Sequence, residues 1–272
     1  MKIAFHIGDP SIPGDARFKA LSEALRGGGV ELYPAAVTAD IRPGTTMVLS
    51  IGGDGTFLGT AHMVAEAGIP ILGVNFGRLG FLSENKPELV AAPILEGSYT
   101  IKERAMLEVS AGCPVPGDFW PYALNEAGVY RSGADTIGIQ ATVGGMELPT
   151  YWADGLMAAT SSGSTAYNLS AGGPICLPDA EVLLLTPVAP HNLGLRPLVV
   201  PNDKAITMKG SSRSGKLSLS LDNRRHEIPS DTEISIRTAP FRLRLVDLGQ
   251  ESFIDALRIR LFWGQDVRNM HI

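Results

Sequence analysis

Two short segments of this 272-residue chain combine residue types suited to chemistry on a phosphate-bearing ligand. The first is Ser50-Ile51-Gly52-Gly53-Asp54-Gly55-Thr56. An apolar run precedes it and a stretch of helical spacing follows, so it reads as the turn from a buried strand into a helix. In an open α/β sheet, ligands bind at the carboxyl ends of strands. Glycines let backbone approach a phosphate, and a helix start aims N–H groups at an anion. A carboxylate in the middle of such a turn repels phosphate unless it acts on a hydroxyl or a metal. Asp54 therefore fits a group that deprotonates an alcohol attacking a phosphoryl group, or that holds Mg2+ for it. The plain alternative is a tight turn with Asp54 as the helix N-cap. The segment is neither a Walker A loop nor a GxGxxG turn.

The second segment opens with Asp154-Gly155-Leu156 and runs through Thr160 to Pro174. It packs seven hydroxyl side chains into residues 160–170, followed by Gly172-Gly173. Ser162 to Thr165 read as the cap of a helix beginning at Ala166, a place that binds phosphate or sugar hydroxyls. The alternative is a solvated linker, against which the apolar run 156–159 argues. Two smaller features accompany these segments. Asn125-Glu126 lies in a strand pattern, where an amide and a carboxylate side by side can bind ribose or base edges, or form a polar pair at a strand end. Asp222-Asn223 reads as a hairpin turn.

The elements that must hold these groups change character along the chain. Up to about residue 95, strands (2–7, 30–33, 46–51, 70–74) alternate with helices (15–27, 56–67, 87–95). The run 46–51 is almost continuously apolar, as a strand buried on both faces should be. Such alternation implies a parallel sheet with right-handed crossovers. From about 100 to 247 the rhythm is strand and turn, with strands at 104–110, 123–131, 136–143, 155–160, 205–208, 216–221, 233–237 and 241–246. Gly, Asn, Asp and Pro clusters separate them. Residues 253–263 return to helical spacing. The expected architecture is an N-terminal Rossmann-like parallel α/β domain (1–100), then an all-β domain of β-sandwich type (101–247). The final segment (248–272) carries a helix that packs back on the first domain.

Composition narrows the class. At roughly 150 residues per domain the length suits about two domains. Apolar residues make up 44% and charged ones 19%, a core-forming chain rather than a disordered one. Glycine is 31 of 272 residues, or 11.4%, against about 7% in average usage. Lys plus Arg (23) minus Asp plus Glu (28) gives −5, without a basic run, which argues against a nucleic-acid or membrane-surface binder. Cys113 and Cys176 are too few for a disulfide framework or a four-ligand zinc site, and the five histidines lack metal-ligand spacing. The start, MKIAFHIG, is short for a signal peptide, and no run approaches about 18 apolar residues. The expected setting is cytoplasmic.

Taken together, these motifs resemble the NAD kinase family. The resemblance rests on GGDGT at 52–56, NE at 125–126, and DGLMAATSSGSTAYNLSAGGPI at 154–175, with NFGRLGFL at 75–82 and RPLVVP at 196–201. GGDG alone is shared with lipid kinases and phosphofructokinases, so a diacylglycerol- or sphingosine-type lipid kinase stands as one alternative and a non-catalytic NAD-binding regulator as another. The long second motif carries the specificity. The resemblance implies transfer of a phosphoryl group from ATP, or another donor, to the 2′-hydroxyl of the adenosine ribose of NAD, giving NADP. It implies Asp54 as the general base and Gly55 against the nucleotide, with Phe81 near the adenine. Asn125 and Glu126 would bind ribose hydroxyls or the nicotinamide-side nucleotide, and Asp154 the nicotinamide end. Thr165, Ala166, Tyr167, Asn168, Leu169 and Ser170 would line the adenine and phosphate pocket, and Ala189 would touch NAD through its backbone. It further implies Mg2+ bridging the donor phosphates and a homodimer or homotetramer. The chain departs from the family pattern at Ser161, where proline is usual, at Trp152, where many members carry a basic residue, and at Asn223, where Gly or His is common.

Overall fold

The computed structural model describes residues 1–77 and 80–265. Arg78 and Leu79, part of the 75–82 motif, lie outside the described residues, as does the end of the segment 248–272. The chain divides into two compact units, one formed by Met1–Glu103 with the chain from Arg244 onward, the other by Arg104–Leu243.

The first unit is built on β1 (Lys2–Ile7), α1 (Ala16–Gly27), β2 (Glu31–Pro34), β3 (Met47–Gly52), α2 (Asp54–Val64), β4 (Ile71–Asn75) and α3 (Ala91–Glu96). The strands are parallel in the order β4-β3-β1-β2. Every residue of β3 and β4 is buried, which explains their nearly continuous apolar runs. Helix α1 starts where the Asp15 side chain accepts the Arg17 N–H, and it buries Phe18, Leu21 and Leu25. From the central β1 the chain winds one way to β2 and the other way to β3. The carboxyl ends of β1 and β3 therefore flank the switch point where open α/β sheets bind ligands. Gly52-Gly53-Asp54 sits there.

β5 (Thr100–Ala111) leads out of the first unit into the second, which follows through β6 (Tyr122–Ala123), β7 (Glu126–Arg131), β8 (Ile137–Val143), β9 (Met146–Glu147), β10 (Tyr151–Ala153) and β11 (Gly155–Thr160). It continues with α4 (Tyr167–Ser170), β12 (Val182–Val188), β13 (Leu198–Pro201), β14 (Ile206–Ser211), β15 (Lys216–Leu221), β16 (Arg224–Pro229) and β17 (Glu233–Asp247). One antiparallel sheet has the order β13-β12-β11-β7-β15-β16, and the other contains β10-β8-β14-β17. Ala127, Val129, Leu156, Ala158, Leu183 and Leu219 of the first meet Ile139, Met208 and Ile236 of the second in one buried cluster. This is sandwich packing, with alternate residues turned inward.

Two strands expected at 233–237 and 241–246 are one 15-residue strand, β17. Pro240 falls between Glu233–Ile236, paired with β14, and Leu245, paired in parallel with β4 of the first unit's sheet. A proline there removes no ladder bond that these pairings use. Val246 and Leu248 join the core of the first unit, and α5 (Phe253–Leu261) follows in that unit with Ala256 and Leu257 buried.

Candidate functional site

Asp54 is the first residue of α2, two residues earlier than the expected start at 56, and Gly53 occupies the N-cap with no side-chain bond. The capping alternative for Asp54 therefore fails. Its carboxylate turns instead onto the loop after β4. Oδ2 accepts the Phe81 N–H at 2.9 Å, and Oδ1 accepts those of Leu82 at 3.0 Å and Ser83 at 2.9 Å. Gly80 is required for this approach, because a Cβ there would lie 2.0 Å from Asp54 Oδ1. A carboxylate offers about four lone-pair positions. Among the described residues three are taken, and the one left is on Oδ2. Gly53, Gly55 and Gly77 face open space. Phe81 thus belongs to the same group as Asp54 and Gly55.

The second unit repeats the device. Asp222 forms the two-residue turn between β15 and β16 with φ 51°, as expected of a hairpin turn. Its carboxylate accepts the N–H of Leu124 at 2.9 Å, Asn125 at 2.8 Å and Glu126 at 3.2 Å. Arg224 braces the same stretch by donating to the Trp120 and Tyr122 carbonyls, with its guanidinium 5.0 Å from the Trp120 ring centroid. The strand expected over 123–131 is accordingly broken at Leu124-Asn125, whose N–H groups turn to Asp222. On the other side, Thr160 donates its hydroxyl to Leu124 O at 2.6 Å and its N–H to Asn125 O at 2.8 Å. Gly163 sits so close that a Cβ would lie 2.0 Å from Asn125 O.

Glu126 is buried, and its Oε2 has no hydrogen-bond partner among the described residues. Burial and the neighbouring Asp222 charge push its pKa up to about 8, against a downward pull from the Tyr167 N–H. Burial also raises Asp222, opposed by its three N–H donors and Arg224. Of the two, Asp222 holds the donors, so the proton resides on Glu126.

The segment 160–170 departs from its expected form. Ser162–Thr165 make a separate 3-10 turn, and α4 is a single turn whose N-cap, Ala166, makes no side-chain bond. The hydroxyls do not cap a helix that could serve as an anion site. Asn168 is fully buried. Its Nδ2 donates to Ser164 O and Pro174 O, and its Oδ1 accepts the Thr186 hydroxyl at 2.6 Å. Its side chain thus serves to fix the segment. Thr165, Ala166 and Leu169 are half-buried, while Tyr167 and Ser170 are exposed.

Glu126, Gly128 and Tyr130 alternate onto the sheet face opposite the sandwich core, and the Tyr167 ring lies 6.1 Å from the Tyr130 ring, centroid to centroid. Asp154 is placed at the far end of this strip. It pairs with Arg131 at 2.9 Å, and its N–H donates to Val188 O, which sets it beside Ala189, an exposed residue held at φ 46°. Of the second-unit residues, Asn125, Glu126 and Thr165 to Ser170 gather at one end of the β7/β11 pair, with Asp154 and Ala189 at the other. Sequence reasoning missed Arg131, Arg224 and the holding role of residues 81–83. Only the alternation within 126–131 offered a signal for Arg131.

Two family models match: the ATP-NAD kinase N-terminal domain over residues 34–98 and the ATP-NAD kinase C-terminal domain over residues 125–248. The chain belongs to the NAD kinase family. Among similar proteins, the NAD kinase of Porphyromonas gingivalis is 46% identical over 81% of this chain and 77% of its own length. That of Flavobacterium psychrophilum is 40% identical over 85% and 80%. Yeast NADH kinase complexed with NADH superposes with a TM-score of 0.85 over 99% of this chain and 89% of its own, at 23% identity, a likeness of fold. An NAD kinase from Archaeoglobus fulgidus in complex with ATP gives 0.75 at 26% identity over 97% and 98%. The membership makes the chain a phosphotransferase and sets aside the lipid-kinase and non-catalytic readings that the GGDG turn had left open. No helix among the described residues is long and apolar enough to cross a membrane.

Proposed function

We propose that the chain transfers the γ-phosphoryl group of ATP to the 2′-hydroxyl of the adenosine ribose of NAD. The observation that carries this reading is Asp54, fixed by three backbone N–H groups at the sheet's switch point with one acceptor position left on Oδ2. The 2′-oxygen attacks the γ-phosphorus and its proton passes to Asp54 Oδ2. The bond from phosphorus to the bridging oxygen breaks, and ADP leaves. Residues 125, 126 and 165–170 hold the adenosine side of NAD, with Asp154 and Ala189 toward the nicotinamide. Catalysis of this kind rests on positioning more than on covalent chemistry.

Among the described residues, no group of three or more His, Cys, Asp or Glu could hold a metal ion. Mg2+ commonly binds through substrate phosphates with only one or two carboxylates. A Mg2+ ion of the kind the family resemblance implies would bind in that way, through the donor phosphates. The expected setting is the cytoplasm and the expected state a homodimer or homotetramer.

The test is NADP formation by the purified protein with NAD and a panel of phosphoryl donors. Asp54→Asn should bind NAD but turn over about 10²–10⁴-fold more slowly, the usual cost of removing a general base. Near-full turnover by Asp54→Asn would remove Asp54 from the reaction.

A further inference from the structure

The loop that holds Asp54 is itself held, and the group that holds it is unusual. The Arg260 side chain on α5 is only 5% exposed and pairs with Glu251. Its guanidinium carbon sits 5.0 Å from the centroid of the Phe81 ring. Phe253, the first residue of the same helix and seven before Arg260, places its own ring 6.1 Å from Phe81. Positions seven apart lie on one helix face, so α5 meets Phe81 with an aromatic ring and a cation together. Phe81 contributes the N–H that engages Asp54 Oδ2, the oxygen with the remaining acceptor position. Glu84 follows directly after the holding residues. Burial raises its carboxyl to about 7, with Arg260 drawing it down and Asp247 and Glu251 pushing it up.

Arg260 is poorly satisfied for so buried a cation: among the described residues, Nε and Nη1 have no hydrogen-bond partner. A buried ion pair with unmet donors is often no more stable than apolar residues in place of both partners. Ala256 and Leu257 supply the buried apolar contact of α5, and one face of the guanidinium's fork pairs with Glu251. What the guanidinium supplies is a fixed face against Phe81.

We propose that Arg260 is a positioning residue for the phosphoryl-transfer reaction, setting the angle of the Phe81 peptide and through it the free lone pair of Asp54 Oδ2. The proposal rests on the function proposed above. Displacing a reacting group by about 1 Å can cost on the order of 10²-fold in rate. Arg260→Met should therefore lower kcat about 10- to 100-fold while KM for NAD changes less than about twofold; because Glu251 loses its ion-pair partner Tm falls as well, so kcat is compared well below the Tm of both proteins. Arg260→Lys, which keeps the charge but not the planar face, should fall between wild type and Arg260→Met.

Two further measurements isolate the route. Amide hydrogen exchange in the full-length protein should quicken at residues 81–83 in Arg260→Met and stay unchanged at 124–126. In an Asp54→Asn background, adding Arg260→Met should produce no further loss of kcat, because the group it positions is already gone. Full additivity of the two substitutions, or unchanged exchange at 81–83, overturns the proposal. So does a kcat of Arg260→Met that returns to the wild-type value at temperatures well below its own Tm. Should Arg260→Met fail to fold, the exchange and kcat of Arg260→Lys decide on the same terms. If the wild-type protein makes no NADP, the proposed function fails instead, and the exchange result still reports whether Arg260 governs the 81–83 loop.

Discussion

At the scale of single residues, the two cradled aspartates have opposite neighbours. Asp54 is held by a loop and has an open acceptor position, whereas Asp222 is held beside a second carboxyl, Glu126, whose Oε2 has no donor among the described residues. Glu126 keeps its proton in the folded protein up to about pH 8, while the unfolded chain releases it near pH 4.5. Between these values the unfolded state binds fewer protons, so this group makes stability fall as pH rises, most steeply above pH 4.5 and levelling off near pH 8. Glu126→Gln removes the titration and should flatten the decline, giving a higher Tm than wild type at pH 8. A neutral Glu126 can also donate a hydrogen bond to a ligand, and glutamine preserves that donor. The KM for NAD of wild type should rise above pH 8 while that of Glu126→Gln stays level. A parallel rise in both would assign the pH dependence elsewhere. The pairing of Asp222 with residues 97 and 98 positions earlier was not legible in the sequence, since nothing in a hairpin dipeptide names a partner so distant.

At the scale of elements, what the sequence made legible follows from how local the signal is. The strands Lys2–Ile7, Gly155–Thr160 and Lys216–Leu221 have the expected bounds, because apolar runs or alternation end at turn residues on both sides. Val182–Val188 went unread, since Pro187 and Pro190 interrupt a run otherwise as apolar as β3, and yet it is a central strand of its sheet. Arg224–Pro229 is an edge strand of mostly polar residues, which carries little pattern. The start of α2 was misplaced because the Asp54 side chain, free of capping, could serve a loop 27 residues on. The hairpin β15–β16 combines both lessons. Its turn was read correctly, while its second duty, fixing the Asn125-Glu126 break, was not. Asp222→Asn separates the two duties, because asparagine tolerates φ > 0 as well as aspartate does. The turn should survive while one of the three N–H donors loses its acceptor, at a cost of about 1–3 kcal/mol. Thermal denaturation should show that loss, and amide exchange should quicken at 124–126. Protection there equal to wild type would mean that the cradle does not depend on the charge of Asp222.

At the scale of the whole molecule, the acidic balance of −5 and the scarcity of lysine around the candidate residues indicate recognition through backbone, hydroxyl and carboxyl groups rather than through a field of positive charge. The layout of the second unit adds a length requirement. Glu126 and Tyr130 are four residues apart on one strand face, a span of about 13 Å at the usual rise, with Asp154 and Ala189 beyond the Tyr130 end. A mononucleotide fits within one end of that strip, whereas a dinucleotide reaches both. If the adenosine side is held at the Glu126 end, Asp154→Ala should weaken NAD and spare AMP. A ligand at 100 times its Kd stabilises the folded state by about 2.7 kcal/mol, which for a chain of this size raises Tm by roughly 5–10 °C. Wild type should show such shifts with NAD and with AMP, each at saturation. In Asp154→Ala the NAD shift at the same concentration should shrink while the AMP shift is retained. Equal losses for both ligands would place Asp154 at the adenosine end, or make its pairing with Arg131 a support for the strip as a whole. Arg131→Ala distinguishes these two outcomes, because removing that partner would then reproduce the same loss.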